Sequence, residues 1–325
     1  MTSPTLTIAR KEYKDSARNA LFITLAGFMV ALTAVSILVA SFNFQAEVAQ
    51  YNAALSELTA VERAGAVIPA PSYYPLLMLR GTIEYLEIIG AVLAIVLGYL
   101  AFAKEKGSNT SRLLLTRPVS RAALVGGKIL GTSLLILTLL ALLEGFIVLS
   151  ITAIGHVAFS STELLKLTLS FAYTYLYLLF FFCFSAALTL FFKDLPRALL
   201  LSFALWLVFV LIIPQIGDTM DPDNQVPGGF FASMHTTQDQ QSAVIARFRK
   251  YENFRNALEV SSIEKHYERL VFATLGIKGI YNDKPLGYIM GDKWPDLALL
   301  LVFYAAGVGA AFLFAGNKRI MASSP

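Results

Sequence analysis

Six apolar runs, each about as long as a helix that crosses a hydrocarbon layer, constrain this chain more than any other feature. Such a layer is roughly 30 Å thick and takes about 20 helical residues at about 1.5 Å each. The runs cover residues 20–42, 85–103, 129–155, 169–192, 198–216 and 297–316. A single run of this kind could be the buried helix of a large soluble protein. Six in 325 residues leave too little polar chain to cover them, because only 15% of residues are charged and the mean hydropathy is +0.64. The chain therefore reads as an all-α polytopic membrane protein with six transmembrane helices.

The first run is longer than the apolar part of a signal peptide, and no small-residue cleavage site follows it, so it reads as a span. The single cysteine, Cys183, lies in the fourth run, which rules out an intrachain disulfide and reads as packing. Sidedness follows from Lys and Arg near the span ends, which are retained preferentially in the cytoplasm. One set of connections carries fourteen: Arg10, Lys11, Lys14 and Arg18, six between Lys104 and Lys128, then Lys193, Arg197, Lys318 and Arg319. The opposite set carries three, Arg63, Arg80 and Lys166. Both termini are thus expected in the cytoplasm. The net charge of +4 is a topology signal rather than a nucleic-acid footprint.

This topology divides the chain into an N-terminal segment (1–19), spans one to five (20–216), an outer region (217–296), and a sixth span with its tail (297–325). An outer loop over 43–84 and an inner loop over 104–128 interrupt the first five spans. Residues 5–19 read as a short interfacial helix, with Ile8, Ala9, Tyr13 and Ala17 on one side and the basic residues toward headgroups or water. In the outer loop, Val48, Tyr51, Leu55 and Leu58 mark a separate helix over 45–62, ended before Pro69, Pro71 and Pro75. The aromatics of the fourth run suit packing and lipid contact, or the lining of a path for an apolar substrate. In the outer region, Ile245, Phe248, Phe254, Leu258, Ile263, Tyr267 and Leu270 indicate one helix or a broken pair over 241–272, forming a small cap outside the membrane.

Catalytic signatures are weak. The stretch ALVGGKIL approaches a phosphate-binding loop but has Ala122 at the first glycine position and Ile129 where Ser or Thr should hold the metal. His156, His235 and His266 are scattered, and Asp218, Asp221 and Asp223 lack the calcium-loop glycine, so a solvated turn is the simpler reading of them. Membrane acids are more informative. Glu144 lies in the outer half of the third run and needs a protein contact, a watery cavity or a proton. Glu84 and Glu87, three apart near the start of the second run, share a helical face and could rim a substrate path or simply meet the interface.

The inner stretch EKGSNTSRLLLTRPVSRAALVGGKILG resembles the cytoplasmic connection of type-2 ABC exporter permeases, a family that includes permeases of nitrous-oxide-reductase and multicopper-enzyme maturation. ARKEYKDSARNALF is similar to the family's interfacial elbow, here with Arg10, Lys11, Glu12 and Arg18, and IPAPSYYPLL resembles its approach to the second span. The resemblance implies a permease that binds no cofactor itself and sits in a prokaryotic plasma membrane among its lipids. It would pair with a second copy or a paralogue and bind a cytoplasmic ABC ATPase dimer carrying ATP and magnesium. Carried residue by residue, it assigns ATPase coupling to Glu105, Gly107, Arg112, Leu113, Leu114, Leu115, Arg117, Pro118, Ser120 and Arg121, with Lys128 heading the next span.

The residues support the same reading independently. Leu113, Leu114 and Leu115 can enter an apolar groove while Arg112, Arg117 and Arg121 meet its carboxylates, and Pro118 limits the ordering cost. Two other functions fit the sequence less fully. One is an ATP-driven mechanical scaffold acting on an extracytoplasmic protein, which the long outer region permits. The other is an ion-coupled transporter centred on Glu144.

Overall fold

The computed structural model describes residues 3–57, 74–107, 120–155, 159–226, 230–277, 281–282 and 284–315. Regular structure among these residues is entirely helical. Among the described residues, six helices are long and apolar enough to cross a membrane: Ala20–Ser56, Pro75–Lys104, Arg121–Ile154, Ser161–Phe191, Leu195–Met220 and Leu286–Phe314. These are the six expected spans, and most overrun their apolar cores.

Local chemistry explains the overruns. No Gly or Pro occurs between Phe28 and Glu57, so nothing stops the first helix where its sequence turns polar. Ala20–Glu57 is one 38-residue helix, so residues 45–57 of the separate helix expected over 45–62 are its continuation, while Leu58 and the rest of that stretch lie outside the described residues. The second span starts at Pro75 rather than residue 85, because a helix tolerates proline in its first turn. The fourth begins at a capping box: the Glu163 amide donates to Ser160 Oγ at 3.2 Å, and the Ser160 amide donates back to the Glu163 carboxylate at 2.8 Å. In the fifth, the wide turn Leu207–Ile212 precedes Pro214, whose missing N–H leaves the turn before it without a regular bond.

Packing separates two inner spans from three peripheral ones. Of the central apolar windows of the second and fourth spans 67% is buried, against 17% for the first, fifth and sixth. The aromatic fourth span is therefore chiefly a packing element: Tyr177, Phe181 and Phe182 are fully buried and Cys183 lies among them. Gly98 allows the second span to approach it, since a Cβ there would collide with the Phe182 carbonyl. Leu142, Leu149, Leu200 and Leu313 stay exposed on the outer faces, as a hydrocarbon solvent permits.

One end of the bundle carries the N-terminal helix Pro4–Ala17 and is called the elbow end. The other, the cap end, carries Gln238–Arg247, Arg249–Ser261 and Ile263–Leu275. Phe248 breaks the first two of these helices and Ser262, in an extended conformation, the last two, so the stretch expected as one helix or a broken pair forms three helices. Ile263–Leu275 does not lie over the bundle. Eleven of its thirteen residues are buried, and it is inserted between the span ends before Gly276, at φ 71°, terminates it.

Candidate functional site

At the elbow end, Ser3 Oγ accepts from the Leu6 amide at 3.3 Å, and Pro4 opens the helix. The face bearing Ile8, Ala9 and Glu12 lies in a trough on the third span made by Gly127 and Gly131, four residues apart. A Cβ at Gly127 would come within 2.7 Å of Ile8 Cβ, and one at Gly131 would strike the Ala9 carbonyl. Arg10, Lys11, Lys14 and Arg18 point away and are exposed, while Glu12 turns inward.

Two buried lysines tie this end together. Lys128, 3% exposed, donates to Glu12 at 2.9 Å and to the Ala101 carbonyl at 2.5 Å, linking the elbow helix, the third span and the second. Lys106, also 3% exposed, donates to the carbonyls of Thr189 and Phe192 at 2.8 Å each. It thereby satisfies the C-terminal carbonyls of the fourth span and holds it to the second. Lys128, expected from the sequence to head the third span, is thus an internal clasp.

The segment between these lysines is the sequence-assigned coupling loop. Arg112, Leu113, Leu114, Leu115, Arg117 and Pro118 lie outside the described residues. Glu105 and Gly107 belong to the last turns of the second-span helix. Ser120 caps the third helix, its Oγ accepting from the Ala123 amide at 3.1 Å, and Arg121 follows it, exposed.

The three membrane acids separate. Glu84 is exposed and paired with Arg80 at 3.0 Å. Glu144 accepts a hydrogen bond from Thr168 Oγ1 at 2.5 Å, a protein contact between the third and fourth spans. Glu87 is buried in the wide turn Leu86–Gly90 and faces Glu264 of the inserted helix. The last contact belongs to a cluster that sequence reasoning missed.

Four successive residues of that helix, about 100° apart around its axis, each reach a different span. Glu264 faces Glu87 of the second. Lys265 bonds Asp218 at the end of the fifth, at 2.9 and 3.1 Å, and Glu268 at 2.8 Å. His266 Nδ1 lies 2.7 Å from Asp296 of the sixth, and its Nε2 lies 3.0 Å from the Val260 carbonyl. Tyr267 bonds Thr174 of the fourth at 3.0 Å and stacks on Tyr177 with ring centroids 4.4 Å apart. Burial pushes the Glu264 carboxyl up to about 8, while the Lys265 ammonium is held above its ordinary value because Glu264 and Glu268 outweigh the opposing effect of burial.

Two adjoining clefts of about 600 and 300 Å³ open beside the cluster and share Arg80, Asp218, Lys265 and Glu268. Asp218 and Asp221, read from sequence as a solvated turn, are ion-pair partners instead, Asp221 with Arg255 at 3.2 Å. Charge spacing within the EKHY run was visible in the sequence. Its partners were not, because they come from spans distant along the chain.

Across residues 6–316 the chain matches the family model described as ABC-2 family transporter protein. Comparison with curated proteins gave no match.

Proposed function

The chain belongs to the ABC-2 family of transporter proteins, and from that premise we propose that it is the permease subunit of an ATP-driven exporter whose elbow end faces the cytoplasm. The distribution of Lys and Arg, fourteen against three, supports that orientation in the plasma membrane of a prokaryote. An ABC ATPase dimer docks on the loop between Gly107 and Ser120 and carries the ATP and magnesium. A second permease copy covers part of the large apolar faces left by the first and fifth spans.

The observation that carries this reading is the pair of lysine clasps flanking the loop. A loop anchored on independent helices would dissipate a push from a partner. Here Lys106 joins the second span to the fourth, and Lys128 joins the third to the second and to the elbow. Displacement of the loop therefore moves three spans and the elbow as one body, the kind of rigid-body change that biases two packed states. The inserted helix, bonded to four spans at the far end, is where such a motion is felt as opening.

Co-expression with the candidate ATPase tests the assignment. Affinity purification through the permease should recover an assembly of two permeases and two ATPases whose ATP hydrolysis responds to the permease. A permease that transports alone, without ATP, would overturn it.

A further inference from the structure

Where the inserted helix Ile263–Leu275 meets the second span, Glu87 and Glu264 face each other carboxyl to carboxyl within hydrogen-bonding reach. They are 8% and 3% exposed. Two ionised carboxylates repel at that distance in a poorly solvated site, whereas a single proton between them turns the contact into a hydrogen bond.

The surrounding charges do not supply an alternative. From the inserted helix itself, Lys265 and Glu268 face the pair, and from the end of the fifth span Asp218 does. The Lys265 ammonium donates to Asp218 and Glu268. The adjacent hydroxyls are those of Tyr177 of the fourth span, Tyr267, and Ser262, whose Oγ lies 3.5 Å from the Glu264 carboxylate and also donates to the Phe209 carbonyl. Arg80 and Glu84 of the second span line the same cleft but pair with each other. Toward the sixth span, Asp296 is engaged with His266. One ammonium thus stands against four carboxyls. The cleft of about 300 Å³ touching both Glu87 and Glu264 offers the proton a way out to water.

We propose that Glu87 and Glu264 hold one proton between them, and that this proton locks the inserted helix to the second span. Proton release then loosens the cap end, giving the permease a gate that responds to pH on that side. The shared proton rests on the burial of the two facing carboxyls and the cleft they share, while its use as a gate rests on the permease reading above. The upward displacement of Glu264 to about 8 sets the direction. A carboxyl raised in the docked state supports docking most strongly in acid, and that support is lost as pH rises through about 8.

The test uses the full-length permease in lipid nanodiscs without ATPase. Infrared difference spectra between about pH 6 and about pH 10 read protonated buried carboxyls directly. Wild type should show a protonated-carboxyl carbonyl band that disappears on the alkaline side, and the double variant Glu87→Gln/Glu264→Gln should lack it. Hydrogen exchange over residues 263–275, corrected for the intrinsic pH dependence, should accelerate about tenfold over that range in wild type and stay slow in the double variant, which mimics the neutral pair. A wild type without the band, a band that persists in the double variant, or an equal exchange response in both proteins would overturn the proposal. Because no partner takes part, failure of ATPase association would leave these readings untouched, so the two claims fail separately.

Discussion

Glu12 and Lys128, 116 residues apart in sequence, meet at 2.9 Å, with the lysine side chain 3% exposed and the glutamate 13%. Their contact fastens an amphipathic surface helix to the start of a membrane span, and it decides how rigid the base of the loop is.

Replacing Lys128 by Met removes the bonds to both Glu12 and the Ala101 carbonyl and leaves a largely buried carboxylate without its ammonium. The expected cost is about 3 kcal/mol, in the range measured when one partner of a buried pair is removed. Thermal unfolding in detergent should show a clear fall in Tm, partly restored by the second change Glu12→Leu. An unaltered Tm would mean that the clasp carries no stability.

Gly131 and Gly145 lie in the same helix and should respond oppositely to alanine. At Gly131 a Cβ meets the Ala9 backbone, which cannot turn aside as a side chain can, so Gly131→Ala should destabilise by about 2 kcal/mol and displace the elbow. At Gly145 nothing lies within 4 Å, so Gly145→Ala should be neutral or stabilising by up to about 1 kcal/mol through helix propensity. Paired melting curves check both signs at once.

Lys106→Met should leave the Thr189 and Phe192 carbonyls without their donor at the end of the fourth span, at a cost of about 2 kcal/mol. Reconstituted with the ATPase, this variant should hydrolyse ATP with weaker coupling to transport. Wild-type coupling at reduced stability would confine the residue to a structural role.

The spans were legible in the sequence because each is an apolar run of sufficient length, a one-dimensional property. Their ends were less so, since helices continue wherever no breaker stops them, as from Phe42 to Glu57. The Gly127–Gly131 spacing was present in GGKILG but drew attention as an incomplete phosphate loop rather than as a groove between helices. Least legible was the inserted helix. Its periodicity suggested a surface amphipath, and only partners 30 and 47 residues away, Asp296 and Asp218, together with Glu87 further still, make its polar face an interior one. Pairing over such distances leaves no local trace in one sequence.

Glu144 tests a different point. Thr168 donates to its carboxylate, and a Gln amide oxygen accepts the same bond, so Glu144→Gln should change stability by less than about 0.5 kcal/mol. Transport measured across pH should keep its wild-type profile. A shifted profile would give this acid a part in moving charge and revive the ion-coupled alternative.

The central claim is that a nucleotide-hydrolysing partner presses on the loop between Gly107 and Ser120. The most direct measurement places a photo-crosslinking amino acid at Leu114, irradiates membranes with and without ATP, and identifies the adduct by mass spectrometry. The account predicts an adduct with the ABC ATPase whose yield changes with ATP. Adducts with lipid alone, or with a protein on the opposite side of the membrane, would contradict it.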